Sequence, residues 1–207
     1  MRKTFILLLI LSLALIGCQK KDDNIDIGIQ DKQTNITQPS QADLLKLAKE
    51  QITNYQDYQF TNNEISKLVK GENGDIYYHG ADKKRYVFPN EDVFKSWFKD
   101  YNIDKLEVHD LQTLYETALG GNVTLRPGSL LQTETDYNVY IVIDNGQISP
   151  IAQSILNQIY DNNWSEKVIH LPNYYFTHYD VGKSILTLND FPEIPKEITI
   201  DEDKNLK

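Results

Sequence analysis

The stretch IYYHGADKKRYVFPNEDVFKSWF, residues 76–98, carries the pattern that decides the fold. Its first part, Ile76 to Phe88, holds two short runs of aromatic and β-branched residues around the polar segment HGADKK. This predicts two strands joined by a hairpin. Pro89 closes the second strand and stands near a helix start. From Asn90 to Lys99, apolar residues follow at the i, i+3 and i+4 spacing of an amphipathic helix, so we predict a ββα unit.

The same pattern returns about 62 residues later, in VYIVIDNGQISPIAQSILNQIY, residues 139–160. The alignment places Leu68 over Leu131 and Tyr77 over Tyr140, and apolar positions match through both units although identity is low. Self-similarity at a fixed offset is the signature of a repeat architecture. The sequence therefore predicts an α+β fold of two ββα-type repeat units with the same order of strands and helices.

Local signals support each unit. Asn145-Gly146 is the strongest two-residue hairpin signal, since both residues accept positive φ. Ala152 to Tyr160 has helical spacing, and a short strand, a short helix and a glycine turn are expected to finish each unit. The segment LRPGS, Leu125 to Ser129, predicts a turn between strands.

A helical lead-in precedes the units. Ser40 and Asp43 resemble a capping box, and the apolar residues that follow predict a helix from Gln41 to about Asn54. A second short helix is predicted at Thr61. The expected segments are a signal peptide (1–17), a lipidated flexible tether (18–39), the lead-in (40–64), repeat unit 1 (65–127), repeat unit 2 (128–190) and a C-terminal tail (191–207).

The N-terminus is typical of an export signal: basic residues precede an apolar run from Phe5 to Gly17 that is too short for a confident membrane span. Leu15-Ile16-Gly17-Cys18 resembles the bacterial lipobox, which implies cleavage between Gly17 and Cys18 and diacylglyceryl transfer to the Cys18 sulfur. The alternative is an ordinary signal peptide whose core contains a cysteine. We expect a lipid anchor at the extracytoplasmic face of a bacterial membrane.

Composition narrows the function classes. The chain has 30 acidic against 21 basic residues and a formal net charge of −9, which disfavours nucleic acid as a partner. Cys18 is the only cysteine, so lipidation leaves no thiol for a disulfide, a metal or nucleophilic catalysis.

The chain lacks the common catalytic and nucleotide-binding motifs: GxSxG, HExxH, the P-loop and GxGxxG. His170, His178 and Asp180 could be drawn as a metal site, but their spacing fits neither a helix face nor a zinc finger. We expect no catalytic residues, no cofactor and no metal.

Aromatic residues offer a candidate binding surface for sugars or peptides. Trp97 and Trp164 are expected in the core. Tyr78 and Tyr174 are candidates for an exposed surface, because side chains alternate along a strand and their neighbours Tyr77 and Tyr175 should face the other way. For Tyr78 and Tyr174, core packing remains the open alternative.

The segments DIYYHGADKKRYVFPNEDVFKSWF and LGGNVTLRPG, followed by a tail from Trp164 to Gly182, resemble a tandem module of exported and surface proteins of bacteria. The second unit lacks the basic pair that the first has at Lys84-Arg85. The resemblance implies an extracellular context and no catalytic residues. We expect a non-catalytic binding or scaffolding lipoprotein whose partner is a cell-wall polymer or another envelope protein. The alternative is a wall-active enzyme or an accessory domain of one.

Overall fold

Two five-stranded sheets and the helices that lie between their strands along the chain form an α+β fold in the computed structural model of this chain. The structure describes residues 38–57, 59–160, 162–195 and 198–203. The predicted signal peptide, the cleavage site at Gly17, the lipidation site at Cys18 and nearly all of the tether lie outside the described residues.

The first sheet belongs to repeat unit 1. Its strand order is β4-β1-β2-β3-β5, with β1, β2 and β3 antiparallel and the two outer strands added in parallel. Helix α3 follows β3, and helix α4 lies between β4 and β5 along the chain. The bounds are β1 Leu68–Gly71, β2 Ile76–His79, β3 Arg85–Phe88, α3 Glu91–Trp97, β4 Val108–His109, α4 Leu111–Tyr115 and β5 Leu119–Asn122.

The second sheet repeats this arrangement. Its order is β9-β6-β7-β8-β10, with three antiparallel central strands and two parallel outer ones. A helix again follows the third strand, and a 3₁₀ helix at Asn173–His178 stands where unit 1 has α4. The predicted repeat is confirmed. The bounds are β6 Leu130–Thr133, β7 Tyr140–Val142, β8 Gln147–Pro150, α5 Gln153–Tyr160, β9 Val168–Leu171 and β10 Asp180–Val181.

The strand register corrects one detail of the alignment. Tyr77 and Tyr140 are equivalent, but Leu68 pairs with Tyr78 whereas Leu130 pairs with Ile141. Leu68 therefore corresponds to Leu130 and not to Leu131. The reason is that the first hairpin of unit 2 is one residue longer than the first hairpin of unit 1. The correction matters because a shift of one residue turns every side chain of a strand to the opposite face.

The lead-in forms two helices, α1 Gln41–Gln56 and α2 Asn62–Ile65. The predicted capping box is present, since Asp43 N donates to Ser40 Oγ at 3.2 Å and Ser40 N donates to Asp43 Oδ2 at 3.1 Å. Ala48 and Ile52 of α1 are buried against α5 and the second sheet. The lead-in thus completes the core of the second unit.

Both faces of β2 are covered. On one face, Tyr78 packs with the aromatic residues of α3, and Tyr140 of the second sheet belongs to the same core. On the other face, Tyr77 packs with Leu114 of α4. Tyr78 is 0% exposed, so the prediction that it lies on a binding surface is wrong. Alternation along a strand predicts one exposed face only where that face lacks a covering layer.

The C-terminal segment binds the hairpins of both units. Ala81 N, in the β2–β3 turn, donates to Asp201 Oδ1 at 2.7 Å. Asn145 N, in the β7–β8 turn, donates to Asp203 Oδ1 at 2.5 Å. Ile200 beside them is buried in the core that the two units share. Two carboxylates two residues apart therefore fix the tips of two hairpins that are about 60 residues apart in sequence.

Candidate functional site: a basic cleft between the repeat units

A cleft of about 520 Å³ lies where the two units meet. Its walls come from α3, from the segment that follows α1, from residues 126–130 that join the units, and from the region of β9. Ligand sites of proteins are commonly concave and about 300–1,000 Å³ in volume, and they often lie between structural units. The size and position of the cleft therefore suit a ligand of small-molecule size or a segment of a polymer.

The charge of the cleft is predominantly positive. Of the described residues, Arg126, Lys95, Lys99 and Lys167 line it, against two carboxylates, Asp57 and Asp100. Lys95 Nζ lies 2.7 Å from Glu91 Oε1 in an exposed pair one helical turn away. Such pairs contribute little stability and leave the lysine accessible.

The turn predicted at LRPGS fixes Arg126. Ser129 N donates to the carbonyl of Arg126 at 3.1 Å, and Gly128 has a φ of 89°, which favours glycine. Arg126 N donates to Ser96 Oγ at 3.1 Å and thereby joins the turn to α3. The guanidinium lies 6.0 Å from the centre of the Trp97 ring, and the whole residue is only 3% exposed.

Apolar side chains supply the other part of the lining. Phe60 packs on Phe98 of the shared core with 5.5 Å between the ring centres. Tyr160, at the end of α5, and Ile169 of β9 contribute from the second unit. Aromatic side chains beside cations give a cleft that can hold both an apolar face and a negative charge.

The structure places the sequence-predicted surface tyrosines apart from this cleft. Tyr78 is buried, and its hydroxyl donates to Asp201 Oδ2 at 2.8 Å. Tyr174 is 64% exposed, and the centre of its ring lies 4.2 Å from that of Tyr175. Tyr174 is therefore available on the surface, but it does not line the cleft.

The predicted core tryptophans differ in burial. Trp97 is buried, and its Nε1 donates to the carbonyl of Thr124 at 2.7 Å. Trp164 is half-buried against the core of the second unit, and its Nε1 donates to Asn157 Oδ1 at 2.7 Å.

The histidines do not gather into one site. His170 is exposed on β9, whereas His178 is half-buried with its Nε2 3.3 Å from Asn122 Nδ2. Burial lowers the pKa of both His178 and His79. Within the described part of the chain, no group of three or more His, Cys, Asp or Glu side chains is placed to hold a metal ion.

The residues that matter most for the cleft were not selected from the sequence. Lys99 ends the predicted helix of unit 1, Arg126 lies in the predicted turn, and Lys167 closes a 3₁₀ helix, Trp164–Lys167, in unit 2. Only the RPG turn carried a signal, because Pro127 and Gly128 mark a fixed backbone on which Arg126 is held.

Comparisons with protein-family models, with curated proteins and with solved structures gave no match for this chain. In the described ranges between residues 38 and 203, no helix is both long enough and apolar enough to cross a membrane.

Proposed function

We propose that this chain is a lipid-anchored protein of the bacterial cell envelope and that its two-unit domain is a non-catalytic binding module. The cleft between the units is the binding site, and a cell-wall polymer is the partner. The observation that carries the binding proposal is the cleft of about 520 Å³, in which a fixed arginine, exposed lysines and aromatic side chains converge.

The build of the cleft favours binding over chemistry. Among the described residues, the titratable groups that line it are three lysines, one tyrosine, one arginine and two aspartates. Nucleophilic catalysis requires a nucleophile in contact with a base, and glycoside hydrolysis requires a carboxylic acid with a raised pKa beside a second carboxylate. Ser129 lines the cleft beside Arg126, and the described residues of the lining include neither a histidine nor a cysteine. Its position in the turn matches a structural role.

The anchor rests on the sequence LIGC, Leu15 to Cys18. The test is Cys18→Ser: without the thiol, the protein should leave the membrane fraction and carry no diacylglyceryl mass. A variant that fractionates like the wild type would contradict the anchor.

The binding site is tested with full-length chain solubilised in a non-ionic detergent and retained on isolated cell-wall sacculi. Gln59 lines the cleft and is exposed, so Gln59→Trp should fill the cleft without removing a core contact. Gln112, an exposed residue of α4 away from the cleft lining, provides the matched control Gln112→Trp. We expect loss of retention for Gln59→Trp alone. Equal retention of both variants and the wild type would overturn the cleft as the binding site.

A further inference from the structure

The charge of the cleft opposes the charge of the whole chain. The chain carries a formal net charge of −9, yet the described residues that line the cleft include four cations and two carboxylates. At physiological ionic strength the Debye length is about 8 Å, so charges on distant parts of the surface are largely screened. A ligand within the cleft therefore experiences the local cations more strongly than the acidic remainder of the protein.

Two of the cations are positioned to contact a ligand directly. Lys99 directly follows the residue that caps the C-terminal end of α3, and Lys167 ends a 3₁₀ helix of the other unit. Both are exposed, and neither forms an ion pair with a carboxylate of the described residues. Lysine side chains carry three rotatable donors on a flexible stem and bind oxyanions as point charges.

Arg126 adds a charge of a different kind. The residue is 3% exposed, and its backbone is held by the turn that joins the units and by Ser96 of α3, so its position is set before any ligand binds. A charge in a wall of low dielectric acts more strongly on a neighbouring charge than one in water. The positive potential thus extends from the buried wall of the cleft to the exposed lysines at its mouth.

We propose that the ligand is an oxyanion-bearing polymer segment, an inference that rests on the proposed function. Lys99 and Lys167 bind its phosphate or carboxylate groups, and the buried charge of Arg126 lies in the wall beside them. The sugar or other neutral part of each monomer packs against Phe60 and Tyr160. A neutral glycan would leave the cations of the cleft without a counterpart in the ligand.

The repeat supplies a matched control. Lys105 ends the 3₁₀ helix of unit 1, Ile103–Lys105, as Lys167 ends that of unit 2, but it does not line the cleft. Lys183 is exposed beyond β10 and also lies outside the lining. Two double variants therefore change the net charge by the same amount. The cleft pair, Lys99→Glu/Lys167→Glu, changes it inside the cleft, and the control pair, Lys105→Glu/Lys183→Glu, changes it outside.

The experiment measures fluorescence anisotropy of labelled polyphosphate, polygalacturonate and dextran of similar length with the detergent-solubilised full-length chain. We expect the wild type to bind one or both anionic probes and to bind dextran much more weakly, with affinity falling as salt rises. The cleft pair should weaken anionic binding by about tenfold or more, because reversed charges repel where the native ones attract. The control pair should stay within about twofold of the wild type. The difference in affinity between polyphosphate and polygalacturonate shows whether the cleft prefers phosphate or carboxylate groups.

The outcomes separate the two proposals. If dextran binds as tightly as the anionic probes, the ligand class proposed here is wrong. If the cleft pair binds the anionic probes as the wild type does, Lys99 and Lys167 do not hold the oxyanions and the proposed contact is wrong. In either case, loss of wall retention in Gln59→Trp would leave the cleft as the binding site. If no anionic probe binds, the ligand class is likewise overturned, whatever the result with sacculi.

Discussion

Tyr78, in the middle strand of the first sheet, donates a hydrogen bond of 2.8 Å to Asp201, which is 123 residues away in sequence. Asp201 also accepts from Lys67 Nζ and from Ala81 N. One carboxylate therefore joins the start of β1, the β2–β3 turn and the core tyrosine of β2 to the C-terminal segment.

Asp201→Asn should destabilise the protein. Burial acts to raise the pKa of Asp201, but the hydrogen bonds from Lys67, Ala81 and Tyr78 outweigh it and hold that pKa below its usual value. A carboxyl group whose pKa is lower in the folded than in the unfolded protein stabilises the fold at pH values above its unfolded pKa of about 4. This stabilisation is lost as the pH falls. Replacing the charged acceptor should cost about 1–3 kcal/mol at pH 7 and much less near pH 3. Urea unfolding at both values measures this. An equal cost at the two pH values would contradict it.

Asp203→Asn should behave in the opposite way. Burial, with Asp144 nearby, raises the pKa of Asp203 to about 6 although Asn145 N donates to it. A raised carboxyl pKa means that the ionised form disfavours folding at pH 7.5, and that the wild type gains stability as pH falls through 6. The asparagine retains an acceptor for Asn145. The variant should therefore equal or exceed the wild type in unfolding free energy at pH 7.5 and lose that advantage at pH 5. An unfolding free energy of Asp203→Asn that is lower than that of the wild type by the same amount at both pH values would contradict the claim that a buried, ionised carboxylate destabilises the fold at pH 7.5.

Much of the fold followed from short-range signals. The Asn145-Gly146 turn is confirmed: both residues have positive φ, and Gln147 N donates to the Asp144 carbonyl at 2.7 Å. The helices and the repeat also followed, because apolar spacing within ten residues sets which side of an element is buried.

The sequence could not show which faces would be covered. Tyr78 and Tyr77 are both buried because α3 covers one face and α4, over thirty residues later, covers the other. The cleft was unpredictable for the same reason. Lys99, Arg126 and Lys167 come together only through the packing of the two units, and isolated cations in a sequence are indistinguishable from solvated ones.

His79→Gln should reduce the acid sensitivity of the fold. Burial lowers the pKa of His79, with His109 and Arg85 nearby acting in the same direction. The unfolded chain, in which the pKa of a histidine is about 6.5, binds the proton more readily than the folded protein does. The folded state therefore loses stability relative to the unfolded state as the pH falls below that value. Melting temperatures between pH 7.5 and pH 5.5 should therefore fall less for His79→Gln than for the wild type. The control is His170→Gln, at an exposed position, which should follow the wild-type profile. Parallel profiles for all three proteins would show that His79 does not contribute.

Trp97→Ala should be the most damaging single change considered. Trp97 is buried in the shared core, and its truncation should cost about 3–5 kcal/mol, against a total stability of about 5–15 kcal/mol. Trp97→Phe should cost about 1–3 kcal/mol, because the hydrogen bond from Trp97 Nε1 to the Thr124 carbonyl is lost. Trp164→Ala is the control and should cost less than Trp97→Ala, since Trp164 is only half-buried. Chemical denaturation gives all three values, and a Trp164→Ala cost equal to that of Trp97→Ala would contradict this account of the core.

The central claim is that the cleft between the repeat units binds the ligand. The most direct measurement is a titration of the ¹⁵N-labelled, detergent-solubilised chain with polyphosphate or polygalacturonate, whichever binds, followed by amide chemical shifts. The account predicts saturable shifts that concentrate at Gln59, Lys99, Gly128 and Lys167, on both units at once. Shifts that concentrate around the exposed Tyr174, with the cleft amides unmoved, would contradict it.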